Sequence, residues 1–413
     1  MAEEFRGRVG LPQELATGAH LLAAPRRDAE LDERQHRLRR TLECLTGIAF
    51  TEGNELTVLR NGDRIFPVML QAIRAATRTV DFMTYVHWKG EIAQDFAAAL
   101  GDAAGRGVRV LIDAVGGLQI EKGLVDAMHD AGVDVQWFRK PWRNSPFRHN
   151  HRCHRKVLVC DETIGLTGGV GIAEEWTGDA RDENEWRDTH VRVVGPAVDG
   201  LSAGFSQNWA ESGRELYDER DRFPEHAQPG NAVVQVVRGS ASLGWDDVQS
   251  TFRVLLDSAE SRLRLATAYF APDGFFLERL CAAAARGVQV DVLLPGPQAD
   301  KRVCQLASEA TYEQLGAGGV RVWNFQPSMM HAKVLTVDGM AAVVGSSNFN
   351  RRSLDHDEEI VLVGLERELV DTLNAHFDDD LTRSERIDPQ RWRARGPTQR
   401  VLETATAPIR RWL

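Results

Sequence analysis

From Leu56 onward the chain alternates two spacings of apolar residues. Runs rich in β-branched and aromatic side chains read as strands, and between them apolar positions recur at the three- and four-residue spacing of a helix face. Leu56-Thr57-Val58-Leu59 predicts a strand, Arg60-Asn61-Gly62-Asp63 a turn, and Phe66, Met69, Leu70 and Ile73 the buried stripe of a helix. A strand over 79–86, a helix around 92–103, a strand over 108–113, a helix near 124–129 and a strand over 133–138 follow. Strands and helices alternating at this length argue for an α/β fold whose mixed or mainly parallel sheet is covered by helices on both faces.

The same order then returns. Arg262-Leu263-Arg264-Leu265-Ala266-Thr267-Ala268-Tyr269-Phe270 matches the strand ending near Tyr85, residues 286–294 match 106–112, and residues 318–325 match 131–138. A fourth correspondence carries chemistry: His154-Arg155-Lys156-Val157-Leu158-Val159-Cys160-Asp161 against His331-Ala332-Lys333-Val334-Leu335-Thr336-Val337-Asp338, both H-x-K-x4-D. Asp161 is followed by Gly168-Gly169 at the same offset that separates Asp338 from Gly345-Ser346-Ser347-Asn348. A lone H-x-K in an apolar strand reads as ordinary core residues. Two copies with matching downstream glycines predict two homologous lobes that bring their His-Lys pairs to one seam. The expected division is an N-terminal extension over 1–47, lobes over 48–220 and 221–390, and a basic tail over 391–413. The polar tract 214–231, with Pro224 and Pro229-Gly230, reads as the linker between lobes.

Bulk composition narrows the classes. In 413 residues, 43% are hydrophobic and 27% charged, which describes a globular chain with ample core. The net charge of −10 gives no bulk attraction to nucleic acid, so no nucleic-acid partner is expected. Five cysteines without C-x-x-C or zinc-finger spacing favour a reducing compartment. Cys153, beside His154, reads as a small buried residue rather than a thiol catalyst. No run of 18 apolar residues occurs and Met1-Ala2-Glu3-Glu4-Phe5-Arg6 lacks a signal-peptide core, so any membrane contact is expected to be peripheral.

Duplicated His-Lys pairs suit attack on a phosphodiester. That reaction needs a nucleophile, a proton for the leaving oxygen and positive charge around the phosphoryl oxygens. One neutral and one protonated histidine divide the first two tasks, and the lysines supply the charge, so no metal and no cofactor is required. The two motifs, Gly345-Ser346-Ser347-Asn348 and the ordered duplication resemble the phospholipase D superfamily, over nearly everything from Leu56 to Val363. Within it, Asn150-His151-Arg152-Cys153-His154-Arg155-Lys156, Trp186-Arg187-Asp188-Thr189-His190, Tyr269-Phe270-Ala271-Pro272-Asp273 and Gln326-Pro327-Ser328-Met329-Met330-His331 are similar to the bacterial cardiolipin synthases, in a short form without N-terminal membrane helices.

The resemblance implies two phospholipase D-like lobes packed with pseudo-two-fold symmetry and a catalytic set of His154, Lys156, Asp161, His331, Lys333 and Asp338. It implies that His154 is the nucleophile and His331 the acid, with Asp161 and Asp338 given a structural part. Each histidine is expected to be oriented by an acid downstream of its own motif, Asp188 for the first and Glu359, in preference to Glu358, for the second. Ser346, Asn348, Gly168 and Gly169 are expected to hold the phosphate, although Gly171 stands where the first lobe's asparagine belongs. The implied reaction is phosphatidyl transfer between phosphatidylglycerol-type lipids to give cardiolipin, with lipid hydrolysis as the alternative and a nuclease third. Anionic phospholipids at the inner face of the cell membrane are the expected partners, and one chain is expected to be catalytically complete. The cations from Arg139 to Lys156 are read as a rim that captures head groups. The tail after Arg391, with Trp392, Val401, Leu402, Ile409 and Trp412, is a candidate surface segment interrupted by Pro397 and Pro408.

Overall fold

The computed structural model describes residues 31–140, 150–216, 222–240, 244 and 246–409. The N-terminal lobe contributes β1 (Thr51–Arg60), β2 (Val80–Thr84), β3 (Val108–Asp113), β4 (Asp134–Phe138), β5 (Val157–Cys160), β6 (Ile164–Gly168) and β7 (Thr189–Val194). The C-terminal lobe contributes β8 (Ala232–Gly239), β9 (Arg262–Ala266), β10 (Gln289–Pro295), β11 (Arg321–Phe325), β12 (Val334–Val337), β13 (Ala341–Gly345), β14 (Glu359–Gly364) and β15 (Ser384–Arg386).

Hydrogen bonding orders these strands as β15-β11-β10-β9-β12-β13-β14-β8-β1-β7-β6-β5-β2-β3-β4. Read outward from the β1–β8 junction, the two halves repeat one another, with β7-β6-β5-β2-β3-β4 answering β14-β13-β12-β9-β10-β11. In each half the βαβ strands pair in parallel, β2 with β3 with β4 and β9 with β10 with β11, while the hairpin bearing the His-Lys motif joins antiparallel. Every residue of β2, β3, β5, β12, β13 and β14 is buried. That double burial explains why these strands read as continuous apolar runs rather than alternations.

Three hydrophobic clusters record the layering. Helices Gly62–Ala75 and Glu91–Asp102 cover the outer face of the N-terminal half through Phe66, Met69, Phe96 and Leu100. Helices Asp247–Ser258 and Gly274–Ala285 cover the outer face of the C-terminal half through Phe252, Leu255, Phe276 and Leu280. Between the halves, Val157, Val191 and Leu111 meet Val334, Leu362 and Leu293, together with Leu201, Phe205 and Trp209 of helix Val198–Glu211 and Leu369, Leu373 and Phe377 of helix Arg367–Thr382. Removing either buried ring from helix Val198–Glu211 costs about 3–5 kcal/mol.

The segment before β1 belongs to this packing. Asp32 caps helix Glu33–Thr46 in a capping box with Gln35, and Leu38 and Leu42 join the core of the C-terminal half. The described tail also docks on that half: Trp392 lies against Tyr312 with ring centres 5.1 Å apart, and Arg395 bridges Glu313 at 2.8 Å and Glu403 at 2.7 Å. None of the described helices is long and apolar enough to cross a membrane.

Candidate active site

Each H-x-K motif enters its hairpin strand from the seam. His154 and Lys156 immediately precede β5, and His331 and Lys333 immediately precede β12, so alternation along the extended chain puts each His and Lys on one side. The backbone of each motif is tied to the other lobe. Cys153 bridges Glu358 in parallel and Arg187 bridges Met330, with His154 N–H donating to Glu358 O at 3.0 Å and His331 N–H to Arg187 O at 2.7 Å. The residue following each bridged partner is an acid, and it reaches the histidine opposite.

His154 Nδ1 donates to Glu359 Oε1 at 3.0 Å, and His331 Nδ1 donates to Asp188 Oδ2 at 2.6 Å. The expected pairing of each acid with its own motif is therefore reversed: Asp188, from the first lobe, serves the second histidine, and Glu359 serves the first. Glu358 turns away to Arg139 at 3.0 Å. Ser346 donates its hydroxyl to the other oxygen of Glu359, and Trp176 Nε1 donates to Asp188 Oδ2 at 3.0 Å. Both carboxylates are completely buried and each is engaged on more than one side.

Burial sets the protonation of the site. It pushes His154 down to about 4 and His331 to about 3, against the opposing pull of Glu359 and Asp188, with Lys156 and Lys333 adding to the depression. Burial would raise Glu359 and Asp188, but His154 beside the one and His331 with Lys333 beside the other outweigh it and hold both below the ordinary carboxylate range. The free site thus holds two neutral imidazoles whose Nδ1–H is committed to a carboxylate, leaving Nε2 as the unprotonated nitrogen. Desolvation also lowers Lys156 to about 8 and Lys333 to about 7. Lys333 Nζ lies 3.1 Å from His331 Nε2, the nitrogen left free to accept its proton.

Both histidines and Lys156 line one cavity of about 420 Å³, walled by Tyr85, Trp88, Trp176, Trp186 and Tyr269 among others. Tyr85 stands edge-on to His154 with ring centres 5.1 Å apart, Tyr269 to His331 at 6.4 Å, and Trp176 to His331 at 5.0 Å. In the sequence Tyr85 marks the matched strand and Tyr269 opens the Tyr269-Phe270-Ala271-Pro272-Asp273 stretch of the family resemblance, with neither assigned to the site. Their recurrence at the same place in both halves was the available signal for a site role, whereas nothing in the local pattern distinguishes Trp176.

Asp161 and Asp338, grouped with the catalytic set, lie elsewhere. Each sits past the far end of its strand, about 16 Å of extended chain from its lysine. Asp161 accepts from the backbone N–H groups of Thr77, Arg78 and Thr79, and Asp338 from those of Glu260, Ser261 and Arg262. Both adopt a left-handed backbone, φ 53° and 54°, at the hairpin turn. Their place is to anchor the entry to β2 and β9.

Gly168 and Gly169 stand behind the site. A Cβ on Gly169 would fall 2.1 Å from Asp188 Oδ1, and one on Gly168 would fall 2.3 Å from His190 Nδ1, so the glycines let the strand bearing Asp188 approach. Gly171 is likewise pressed on Val86, at 2.6 Å from such a Cβ. Asn348 is buried, and its Oδ1 has no hydrogen-bond partner among the described residues. Cys153 is buried, which pushes its thiol up and removes it from nucleophilic chemistry. Of the basic run, Arg139, Arg152 and Arg155 are buried in the framework, on Glu211 and Glu358, on Asp113, and on Gly204 O and Asn208 respectively, rather than forming a rim. Trp142 and Phe147 of that run lie outside the described residues.

The family described as cardiolipin synthase, PLD-like domain, matches residues 69–209 and 252–381, one stretch in each lobe. The chain belongs to this family. It is 30% identical over 387 residues to cardiolipin synthase 1 of Bacillus anthracis, spanning 91% of this chain and 75% of that protein. It is 31% identical over 359 residues to the cardiolipin synthase of Halalkalibacterium halodurans, spanning 84% and 70%. The fold is shared with phosphatidylserine synthase of Haemophilus influenzae at a TM-score of 0.67 and 14% identity, covering 92% of this chain and all of that one. The phospholipase D-like architecture expected of the duplicated motifs is therefore the architecture of the chain, with two lobes joined edge to edge through β1 and β8.

Proposed function

We propose that this member of the cardiolipin synthase family is a phosphatidyltransferase that moves a phosphatidyl group from one phosphatidylglycerol-type lipid to the hydroxyl of a second, through a phosphohistidine. The observation that carries this reading is the crossed pair, His154 on Glu359 and His331 on Asp188, facing one cavity. In the first step His154 Nε2 attacks phosphorus, the phosphorus–oxygen bond to glycerol breaks, and His331 hands its proton to the departing oxygen. In the second, an acceptor hydroxyl attacks the phosphohistidine, returns its proton to His331 and releases His154. Atoms and charge balance over the cycle, with glycerol and cardiolipin as products.

The depressed His331 suits this division once substrate is counted. A phosphodiester anion beside the ring favours the imidazolium, and Lys333, lowered to about 7, holds the nearest exchangeable proton. Lys156 and Lys333 balance the phosphoryl charge, and the buried Asn348 is a candidate to complete the phosphate site by donating its Nδ2–H. We assign Ser346 to Glu359 rather than to the phosphate.

Both acids and both histidines come from one chain, which supports a catalytically complete monomer. A lipid substrate places the protein at a bilayer surface, and the five unpaired cysteines support the reducing, inner side of the cell membrane. Purified protein incubated with phosphatidylglycerol vesicles is expected to yield cardiolipin and glycerol by lipid mass spectrometry. Phosphatidic acid as the sole product would make it a hydrolase, and cleavage of single-stranded DNA with no lipid product would make it a nuclease.

A further inference from the structure

The two halves repeat the chemistry but not the walls around it. After β3, the loop in front of Tyr85 and His154 carries Val115, Gly116, Leu118 and Gln119, with Gly116 O fixed by Trp88 Nε1 at 2.8 Å. After β10, the equivalent loop in front of Tyr269 and His331 carries Asp300 and Lys301. Tyr269 donates its hydroxyl to Asp300 Oδ2 at 2.7 Å, and Lys301 Nζ lies 5.1 Å over the Tyr269 ring. Among the described residues, Asp300 is the only carboxylate lining this cavity. The duplicated framework thus carries unlike loops, with Val115 and Leu118 on the side of His154 and the charged Asp300 and Lys301 on the side of His331.

Resting on the transferase reading, we propose that Asp300, Tyr269 and Lys301 form the subsite for the glycerol head group, occupied first by the leaving glycerol and then by the acceptor lipid. The chemistry of a glycerol carrying its own phosphodiester divides between these residues. Its vicinal hydroxyls need an acceptor, which Asp300 supplies, and its phosphate needs a cation, which Lys301 supplies. The subsite lies on the side of His331, the group that exchanges a proton with glycerol oxygen in both steps. The wall of Val115 and Leu118 suits the diacylglycerol end of the donor, which carries no donors or acceptors beyond its esters. Lys301 gives the subsite a reason to prefer a glycerol borne by a lipid over free glycerol or water, because neither of these offers an anion.

The test separates the two half-reactions in the full-length protein. Wild type, Asp300→Asn, Asp300→Ala and Lys301→Ala are given a phosphatidyl donor with a p-nitrophenyl leaving group, which needs neither glycerol recognition nor a proton, and the p-nitrophenol burst is measured. Discharge is then followed with phosphatidylglycerol vesicles, with free glycerol, and with water alone. All variants are expected to keep the burst within about twofold. Both Asp300 variants are expected to shift partition from glycerol acceptors toward hydrolysis by about tenfold or more, and Lys301→Ala to weaken discharge to phosphatidylglycerol while leaving free glycerol unchanged. Unaltered partition in a wild-type background that does transfer overturns the subsite alone, as does loss of the burst in the Asp300 variants. A wild-type phosphoenzyme that discharges only to water overturns the transferase reading and the subsite together.

Discussion

Glu359, on the first residue of β14 in the C-terminal lobe, accepts a hydrogen bond from His154 in the N-terminal lobe at 3.0 Å, and Asp188 returns the relationship to His331 at 2.6 Å. The lobes therefore do more than lie side by side, because each fixes the ring orientation and tautomer of the other's histidine. Separating them would leave two carboxylates without their histidines and two unoriented imidazoles.

This crossing dictates which substitutions share a phenotype. Glu359→Gln is expected to behave like His154→Ala, abolishing phosphoenzyme formation even from a donor with a p-nitrophenyl leaving group, with a loss of about 10³-fold or more. Asp188→Asn is expected to behave like His331→Ala, failing with natural lipid but retaining a burst with the activated donor. The opposite assortment in rapid-quench assays would mean that each acid acts on its own motif.

The alkaline limb of activity is expected to follow the lysines. Lys333 and Lys156 are lowered by burial to about 7 and about 8, so their positive charge is full below these values and lost as pH rises through them. kcat/KM should therefore decline between about pH 7 and 8, and Lys333→Arg, which stays charged, should move the decline upward whatever it does to the maximum. A pH profile of kcat/KM in both proteins checks this, and an unmoved limb in Lys333→Arg removes Lys333 from the account.

Stability should fall on mild acidification. His87, His154 and His190 are each lowered to about 4 and His331 to about 3, with burial the leading cause. A folded pKa below the unfolded value near 6.5 means that the unfolded chain takes up protons first. The stabilisation present above pH 6.5 is then lost toward pH 4, at up to about 1.4 kcal/mol per pH unit for each histidine. Urea unfolding at pH 7 and pH 5 reads this directly, and His190→Gln should flatten the slope. An unchanged midpoint would show that these rings are not buried neutral.

The repeat was legible because its strands are buried on both faces and so keep their apolar character wherever the chain runs. The expected strand 108–113 coincides with β3, and likeness to the first half predicts β9, β10 and β11. The crossed acids were not legible. Asp188 and Glu359 each follow their own motif in sequence, and only the parallel bridges from Cys153 to Glu358 and from Arg187 to Met330 carry them to the opposite histidine. Such pairings depend on how two halves pack, which no local period encodes. The same limit hid the environment of Arg139 and Arg152: a run of cations reads as a charged surface until its partners Glu211, Glu358 and Asp113 arrive from distant strands and helices.

The central claim is that His154 becomes the phosphohistidine, and mapping the covalent adduct tests it most directly. Wild-type protein mixed with the p-nitrophenyl donor, quenched in base where phosphohistidine survives, and digested for tandem mass spectrometry is expected to carry a phosphatidyl group on His154, lost on acid treatment and absent from His154→Ala. An adduct on His331 in place of His154, or turnover of lipid with no histidine adduct under any quench, would contradict the account.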